Sequence, residues 1–161
     1  MAAGSTYTPI ATQTLGSSAS TVTFSSISSA YTDLILVTNA TATSGTQAFG
    51  IAFNGDTGTN YSYTYLYGNG SSAASGKTVG PNAHIGHVGS VPNTVIAHIQ
   101  NYSNSTTYKT ILAESSLSNS YRMNSAALWS NTAAINSITI IPDSNSFAIG
   151  STFTLYGIAS A

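Results

Sequence analysis

The stretch Thr94-Val-Ile-Ala-His-Ile-Gln-Asn101 decides the fold class of this chain. Its apolar residues Val95, Ala97 and Ile99 recur at every second position, and this spacing places side chains on one face of a β-strand. The stretch 108–115, Tyr-Lys-Thr-Ile-Leu-Ala-Glu-Ser, alternates in the same way. Such segments predict antiparallel strands that bury one face.

Short segments of this kind recur along the chain, separated by clusters of Gly, Ser, Asn and Asp, and helical periodicity is nearly absent. This pattern is typical of all-β sandwiches and barrels. We therefore predict an all-β, jelly-roll-like β-sandwich of about eight to ten antiparallel strands, formed by residues 1–161 as a single domain. The candidate strands are Ile10–Leu15, Thr21–Ile27, Asp33–Thr38, Ala48–Phe53, Tyr61–Tyr67, His84–Val88, Thr94–Asn101, Tyr108–Ser115, Ala126–Ser130, Ile135–Ile141 and Phe153–Ala159.

The polar stretches between these strands predict loops and an arm. The low-complexity stretch 68–82 is predicted to be a flexible surface loop, and 101–108 a second long loop. Residues 1–9 lack the basic and apolar regions of a secretory signal. We expect them to form an extended arm that reaches a neighbouring subunit.

Charge is scarce in this sequence and excludes several functions. Charged residues make up 4% of the chain, against roughly 25% in an ordinary soluble domain. Nucleic-acid binding needs clustered Lys or Arg, and adhesion to anionic membranes needs the same, so neither partner is expected. No apolar run approaches the length of a membrane span. The charged residues are Asp33, Asp56, Lys77, Lys109, Glu114, Arg122 and Asp143.

Catalysis is not indicated by any spacing in the chain. The four carboxylates lie in different segments, there is no Gly-x-Ser-x-Gly motif, and no cysteine can act as a nucleophile or metal ligand. The segment 70–78 resembles a phosphate-binding loop, but it has five residues between its glycines where that motif has four. We predict a non-enzymatic protein with no catalytic residues and no cofactor.

Metal binding is considered at two places. The segment 54–60, Asn-Gly-Asp-Thr-Gly-Thr-Asn, alternates oxygen ligands as calcium loops do, but a hairpin turn between Phe53 and Tyr61 explains the same residues. His84 and His87 are three residues apart, so a regular strand places them on opposite faces, away from a shared ion. We therefore predict no metal site within one subunit and expect His84, His87 and His98 to be hydrogen-bonded structural residues. The alternative is an ion held by a single histidine that is repeated around the axis of a symmetric oligomer.

The segment Tyr61-Ser-Tyr-Thr-Tyr-Leu-Tyr67 carries the most distinctive side-chain pattern. Its tyrosines share one face of a strand. The pattern favours a face that packs in the core or along a subunit interface, and an aromatic platform for a glycan is the alternative. The candidate interface or glycan residues are Tyr61, Tyr63, Tyr65 and Tyr67.

Several strand and turn patterns taken together resemble a family of small virion proteins of tailed bacteriophages. The resemblance spans nearly the whole chain but includes no catalytic signature. It implies a β-sandwich that assembles on the particle, often as a trimer. The residues that carry it are Tyr7-Thr-Pro-Ile-Ala11, Thr14-Leu-Gly16, Val22-Thr-Phe-Ser-Ser-Ile27, Tyr31-Thr-Asp-Leu34, Phe53-Asn-Gly-Asp56, Asn60-Tyr-Ser62, Leu128-Trp129 and Gly150-Ser-Thr-Phe-Thr-Leu-Tyr-Gly-Ile158.

The resemblance and the low charge lead to one functional prediction. We expect a capsid cement or decoration protein, a homotrimer on the head surface of the virion, that clamps neighbouring major capsid subunits or other virion subunits. Few ion pairs leave little for salt to screen, which suits a particle exposed to changing conditions. The alternative is a small tail or fibre component that binds host surface glycans.

Overall fold

The structure is a computed structural model that describes residues 6–118 and 120–158. Within this part of the chain all regular elements are β-strands, twelve in number. They are β1 (Tyr7–Thr14), β2 (Val22–Phe24), β3 (Asp33–Ala40), β4 (Gln47–Phe53), β5 (Tyr61–Gly68), β6 (Ala73–Gly80), β7 (Ala83–Val88), β8 (Asn93–Gln100), β9 (Lys109–Leu117), β10 (Tyr121–Trp129), β11 (Ile138–Pro142) and β12 (Thr152–Ile158).

The strands form two antiparallel sheets of unequal size. The large sheet has the order β1-β12-β3-β8-β9-β10-β5-β6, and the small sheet has the order β2-β11-β4-β7. Strand β7 of the small sheet packs against β8, β9, β10 and β5 of the large sheet. The all-β sandwich prediction is therefore confirmed, with twelve strands where about eight to ten were expected.

One hydrophobic core lies between the sheets and follows the predicted alternation. Val95, Ala97 and Ile99 are fully buried, whereas Ile96 between them is 49% exposed on the outer face. From the small sheet, Phe49, Ile51 and Phe53 enter the same core cluster, because β4 is buried along most of its length.

Lys109 is an exception to the apolar core. Its side chain is fully buried, and Nζ donates hydrogen bonds to the carbonyl oxygens of Thr107 at 2.7 Å and Thr132 at 3.0 Å. Burial lowers the pKa of this amine. The residue ties the loop before β9 to the loop after β10, so one of the few cations of the chain has a structural role.

Two loop predictions are corrected by the structure. The segment 68–82 is not a flexible loop throughout, because β6 occupies Ala73–Gly80 and pairs with β5 along its whole length. The segment 54–60 is not a hairpin, because β4 and β5 belong to different sheets, so this loop carries the chain from one sheet to the other.

The predicted N-terminal arm is partly wrong. Residues 1–5 lie outside the described part of the chain. Residues 7–9 are not an arm, because they belong to β1 and pair with 156–158 of β12. The backbone partners offered by β12 explain why this polar segment is a strand.

Candidate functional site

The tyrosine row of β5 faces the inside of the sandwich. Tyr61 is fully buried, and its ring contacts Phe53 of the small sheet and stacks on Trp129 of β10. Its hydroxyl accepts a hydrogen bond from the backbone N–H of Phe53 at 2.8 Å, and burial raises the pKa of this hydroxyl to about 12. Tyr61 is therefore a core residue, which is one of the two roles predicted for the row.

The other three tyrosines extend the row toward strand β7. Tyr63, Tyr65 and Tyr67 are half-buried, and their ring centroids follow one another at 6.2 and 6.1 Å. The rings of Tyr63 and Tyr65 both contact His84 of the small sheet, at centroid distances of 5.3 and 6.2 Å. The row thus changes along its length from core packing to a partly accessible aromatic surface.

Strand β7 contains a bulge that reverses the prediction for its two histidines. Phe49 of β4 pairs with Gly86, but the next residue, Gly50, pairs with His84, so β7 has one extra residue at this point. Because a bulge shifts the alternation by one position, His84 and His87 lie on the same side. Their ring centroids are 5.2 Å apart. The expectation that they occupy opposite faces is wrong.

Polar side chains of the large sheet hold the bulge in place. Ser125 Oγ donates to the carbonyl oxygen of His84 at 2.8 Å, and Ser115 Oγ accepts from the backbone N–H of His87 at 3.4 Å. The Asn93 side-chain amide donates to the carbonyl oxygen of His87. These contacts satisfy backbone groups that the bulge removes from the sheet ladder.

Five rings form a closed circuit around the end of β7. The successive centroid distances are 6.1 Å from Tyr65 to Tyr67, 5.8 Å from Tyr67 to Tyr121, 5.4 Å from Tyr121 to His87, 5.2 Å from His87 to His84, and 6.2 Å from His84 back to Tyr65. The same five residues line a cavity of about 210 Å³. We call this arrangement the aromatic cup.

The two imidazoles of the aromatic cup are neutral at pH 7. Burial, together with the nearby His87, lowers the pKa of His84 to about 4, although a hydrogen bond to the Gly86 backbone acts in the opposite direction. Burial also lowers the pKa of His87, and the negative charge of Asp143 opposes this shift. Each ring therefore has one N–H group and one nitrogen lone pair.

Two nitrogen atoms of the aromatic cup have no hydrogen-bond partner. They are Nε2 of His84 and Nδ1 of His87, and both atoms are shielded from solvent. His84 is 7% exposed as a residue. An unpaired buried polar atom costs roughly 1–3 kcal/mol. The described residues contain three further atoms of this kind, Thr38 Oγ1, Gln47 Nε2 and Asn93 Oδ1. The prediction that both are hydrogen-bonded structural histidines does not hold for these nitrogens.

His98 lies outside the aromatic cup and behaves as predicted. Its Nε2 is 3.0 Å from Oδ2 of Asp33, while Oδ1 of Asp33 accepts the backbone N–H of Asn101 at 2.7 Å. This pair joins β8 to β3. It is a hydrogen-bonded structural histidine.

Asp56 lies in the crossover loop that was compared with a calcium site. Its Oδ1 accepts the Gly58 N–H at 2.9 Å, and its Oδ2 accepts the Trp129 indole N–H at 2.7 Å and the Asn60 amide at 2.9 Å. These hydrogen bonds, with that of Trp129 the strongest, lower the pKa of the carboxyl. Because both oxygens already accept N–H donors, the loop is arranged for chain packing and not for a cation.

The outer face of the large sheet has an apolar groove at its centre. Leu66 of β5 is 62% exposed, Ile96 of β8 is 49% exposed and Leu112 of β9 is 45% exposed. With neighbouring residues they line a cavity of about 510 Å³. At its border Glu114 and Arg122 form an ion pair at 3.3 Å, with both side chains 66% exposed. We call this surface the outer groove.

No protein-family model matches the sequence, and no curated protein matches it. Among the described residues, no helix is long and apolar enough to cross a membrane. The same part of the chain holds no group of three or more His, Cys, Asp or Glu residues that is placed to bind a metal ion.

The structure therefore offers two surfaces with different chemistry. The outer groove is wide, apolar and almost uncharged, which suits contact with another protein. The aromatic cup is small and contains two neutral imidazoles with unpaired nitrogens, which suits a small ligand or an ion. The sequence indicated Tyr65 and Tyr67 of the cup but not Tyr121, and it carried no signal for the bulge or for the outer groove.

Proposed function

We propose that this protein is a non-enzymatic structural subunit of a bacteriophage particle. In this role it is a cement or decoration protein, assembled as a homotrimer on the head surface, that binds neighbouring major capsid subunits and stabilises the shell. The observation that carries the proposal is the outer groove, in which Leu66, Ile96 and Leu112 expose apolar surface across strands β8 to β5 of an eight-stranded sheet.

The shape of the fold supports a contact through the outer groove. The eight paired strands make one broad face, and the antiparallel ladder holds the exposed side chains in fixed positions. A rigid surface loses little conformational entropy when it binds, so more of its contact energy appears as affinity. Several copies on a symmetric shell add avidity to each contact.

The low charge of the chain also supports the proposal. The outer groove borders a single ion pair, Glu114–Arg122, so contact with a partner requires little desolvation of charge. A contact of this kind is held by apolar burial and changes little with salt. Such behaviour suits a particle that passes between environments.

The proposal is tested on phage particles from which the protein has been removed. Stripped particles should lose resistance to heat or osmotic shock, and the purified chain should restore it. The variant Leu112→Glu places a charge in the outer groove and should fail to rebind, whereas Thr23→Glu places the same charge on the exposed side of the small sheet and should rebind. Unchanged resistance after stripping, or full rebinding by Leu112→Glu, would refute the proposal.

Glycan binding by a tail or fibre component remains the second candidate function, and the aromatic cup favours it over other surfaces. Tyr61 is buried and unavailable, so a sugar would contact Tyr65 and Tyr67 at the border of the cavity. Tyrosine rings offer both apolar area and a hydroxyl group to a sugar. Binding on a glycan array that Tyr65→Ala abolishes would favour this function over the first.

A further inference from the structure

We propose that His84 and His87 form a binding site for a divalent transition-metal ion, of the zinc, nickel or copper type, in the aromatic cup. The inference concerns a site within one chain and does not depend on the proposed function. Its basis is the geometry of β7, where the bulge brings both imidazoles to one side and leaves one nitrogen of each without a partner.

The separation of the two rings fits a shared ion. An imidazole nitrogen lies about 2.0–2.1 Å from a tetrahedral zinc ion, and the ring centre lies about 1.1 Å further out, so two such rings at a tetrahedral angle have centres about 5.2 Å apart. The ring centroids of His84 and His87 are 5.2 Å apart. The separation of the two ring centres is therefore compatible with one shared ion, and it also lies within the ordinary range for two rings in contact.

The identity of the unpaired atoms points to the same role. A metal-binding histidine usually donates its second ring N–H to a backbone carbonyl or carboxylate, which orients the ring and leaves the other nitrogen for the ion. Nε2 of His84 has no hydrogen-bond partner. Nδ1 of His87 likewise has no hydrogen-bond partner.

The rest of the aromatic cup defines the kind of ion. Neutral imidazole is a good ligand for zinc, copper and nickel, while the hard ions calcium and magnesium prefer oxygen ligands. The described residues supply no third His, Cys, Asp or Glu at this place. The remaining coordination positions are therefore assigned to water or to the phenol oxygens of Tyr67 and Tyr121, which line the same cavity.

The direct test is a titration of the tag-free chain with ZnCl₂ followed by isothermal calorimetry. We expect one ion per chain, and a loss of affinity of about 10–100-fold in His84→Gln and in His87→Gln. The matched control is His98→Gln, because His98 pairs with Asp33 outside the aromatic cup and should leave binding unchanged. Absence of Zn²⁺ binding, wild-type affinity in either cup variant, or one ion per two chains would overturn the site.

An NMR measurement keeps the proposal testable if a variant folds poorly. In the wild-type chain, Zn²⁺ should shift the ¹⁵N resonances of His84 Nε2 and His87 Nδ1, while both ring nitrogens of His98 stay unchanged. A zinc concentration about 100-fold above Kd should also raise Tm by roughly 5–10 °C. Shifts at His98 alone, or no change at any imidazole, would contradict the assignment.

Discussion

At the scale of single residues, Asp56 shows how one carboxylate organises a connection between two sheets. It lies in the loop from β4 to β5 and accepts hydrogen bonds from Gly58, Asn60 and Trp129. The indole of Trp129 also packs against the rings of Phe53 and Tyr61, which lie at the two ends of this loop. The carboxylate therefore links the crossover loop to the aromatic end of the core.

Replacement of this carboxylate should lower stability in a pH-dependent manner. We expect Asp56→Asn to lose about 1–3 kcal/mol at pH 7, because charge-assisted hydrogen bonds are replaced and one oxygen acceptor becomes a donor. The folded-state pKa of Asp56 lies below the ordinary aspartate value of 3.8, so its stabilisation is present above that value and disappears as the pH falls through the folded-state pKa. Urea unfolding followed by Trp129 fluorescence measures both effects.

The control for this prediction is Asp143→Asn. Burial raises the pKa of Asp143, so removal of its negative charge should not reduce stability at pH 7. The difference between wild type and Asp56→Asn should shrink at an acidic pH below the folded-state pKa of Asp56, where this carboxyl is protonated in both the folded and the unfolded state. A difference that stays constant between pH 7 and this acidic pH would show that the carboxylate charge is not responsible.

At the same scale, the sequence predicted the tyrosines better than the histidines. The period-two spacing of Tyr61, Tyr63, Tyr65 and Tyr67 places them on one face, because β5 is a regular strand paired without a bulge to β10 and β6. The same rule failed for His84 and His87, because it holds only where the alternation is unbroken. A bulge depends on partners from other strands, and these partners are not local in sequence.

At the scale of elements, β7 is the strand that joins the two sheets most closely. A Cβ atom at Gly86 would lie 2.7 Å from Ser115 Oγ, 2.8 Å from Ser115 Cβ and 2.8 Å from Val95 Cγ2. Those side chains belong to β9 and β8, which are inner strands of the large sheet with little freedom to move. Gly86 is therefore required by the close approach of the sheets.

We expect Gly86→Ala to destabilise the fold by about 1–3 kcal/mol, because overpacking forces neighbouring side chains or backbone to shift. Thermal unfolding followed by circular dichroism measures the loss. The matched control is Gly16→Ala, since a Cβ atom at Gly16 meets nothing within 4 Å. Equal stability of the two variants would show that the sheets can separate at β7 without cost.

The sequence did not reveal strand β6, because this strand depends on partners from outside its own segment. Its sequence, Ala-Ala-Ser-Gly-Lys-Thr-Val-Gly, has weak strand propensity and little alternation. The strand exists because β5 offers a full row of backbone partners, and because the ring of Tyr65 lies over Gly76, where a Cβ atom would collide with it. Neither the pairing with β5 nor the contact between Tyr65 and Gly76 can be predicted from the composition of this segment alone.

At the scale of the whole molecule, apolar burial and backbone pairing replace ion pairs as the source of stability. The described residues contain one Lys/Arg–carboxylate ion pair, Glu114–Arg122, which is largely exposed, whereas His98 and Asp33 share a hydrogen bond. Exposed pairs contribute at most about 1 kcal/mol each. The sequence predicted the scarcity of ion pairs directly, because a count of charged residues does not depend on the fold. The division into sheets of eight and four strands could not be predicted in this way, because it depends on long-range pairing.

Stability should therefore depend little on NaCl. Between about 0.02 M and about 0.5 M NaCl we expect Tm to change by less than about 3 °C, because there is little charge interaction to screen. Sodium sulfate at equal ionic strength should raise Tm, because it strengthens apolar burial, and this increase shows that the assay responds to salt.

The same reasoning extends to assembly: if the outer groove is the contact with a capsid partner, rebinding to stripped particles should be similar at both NaCl concentrations. A steep loss of rebinding at the higher concentration would indicate a charged contact and would contradict a role for the outer groove.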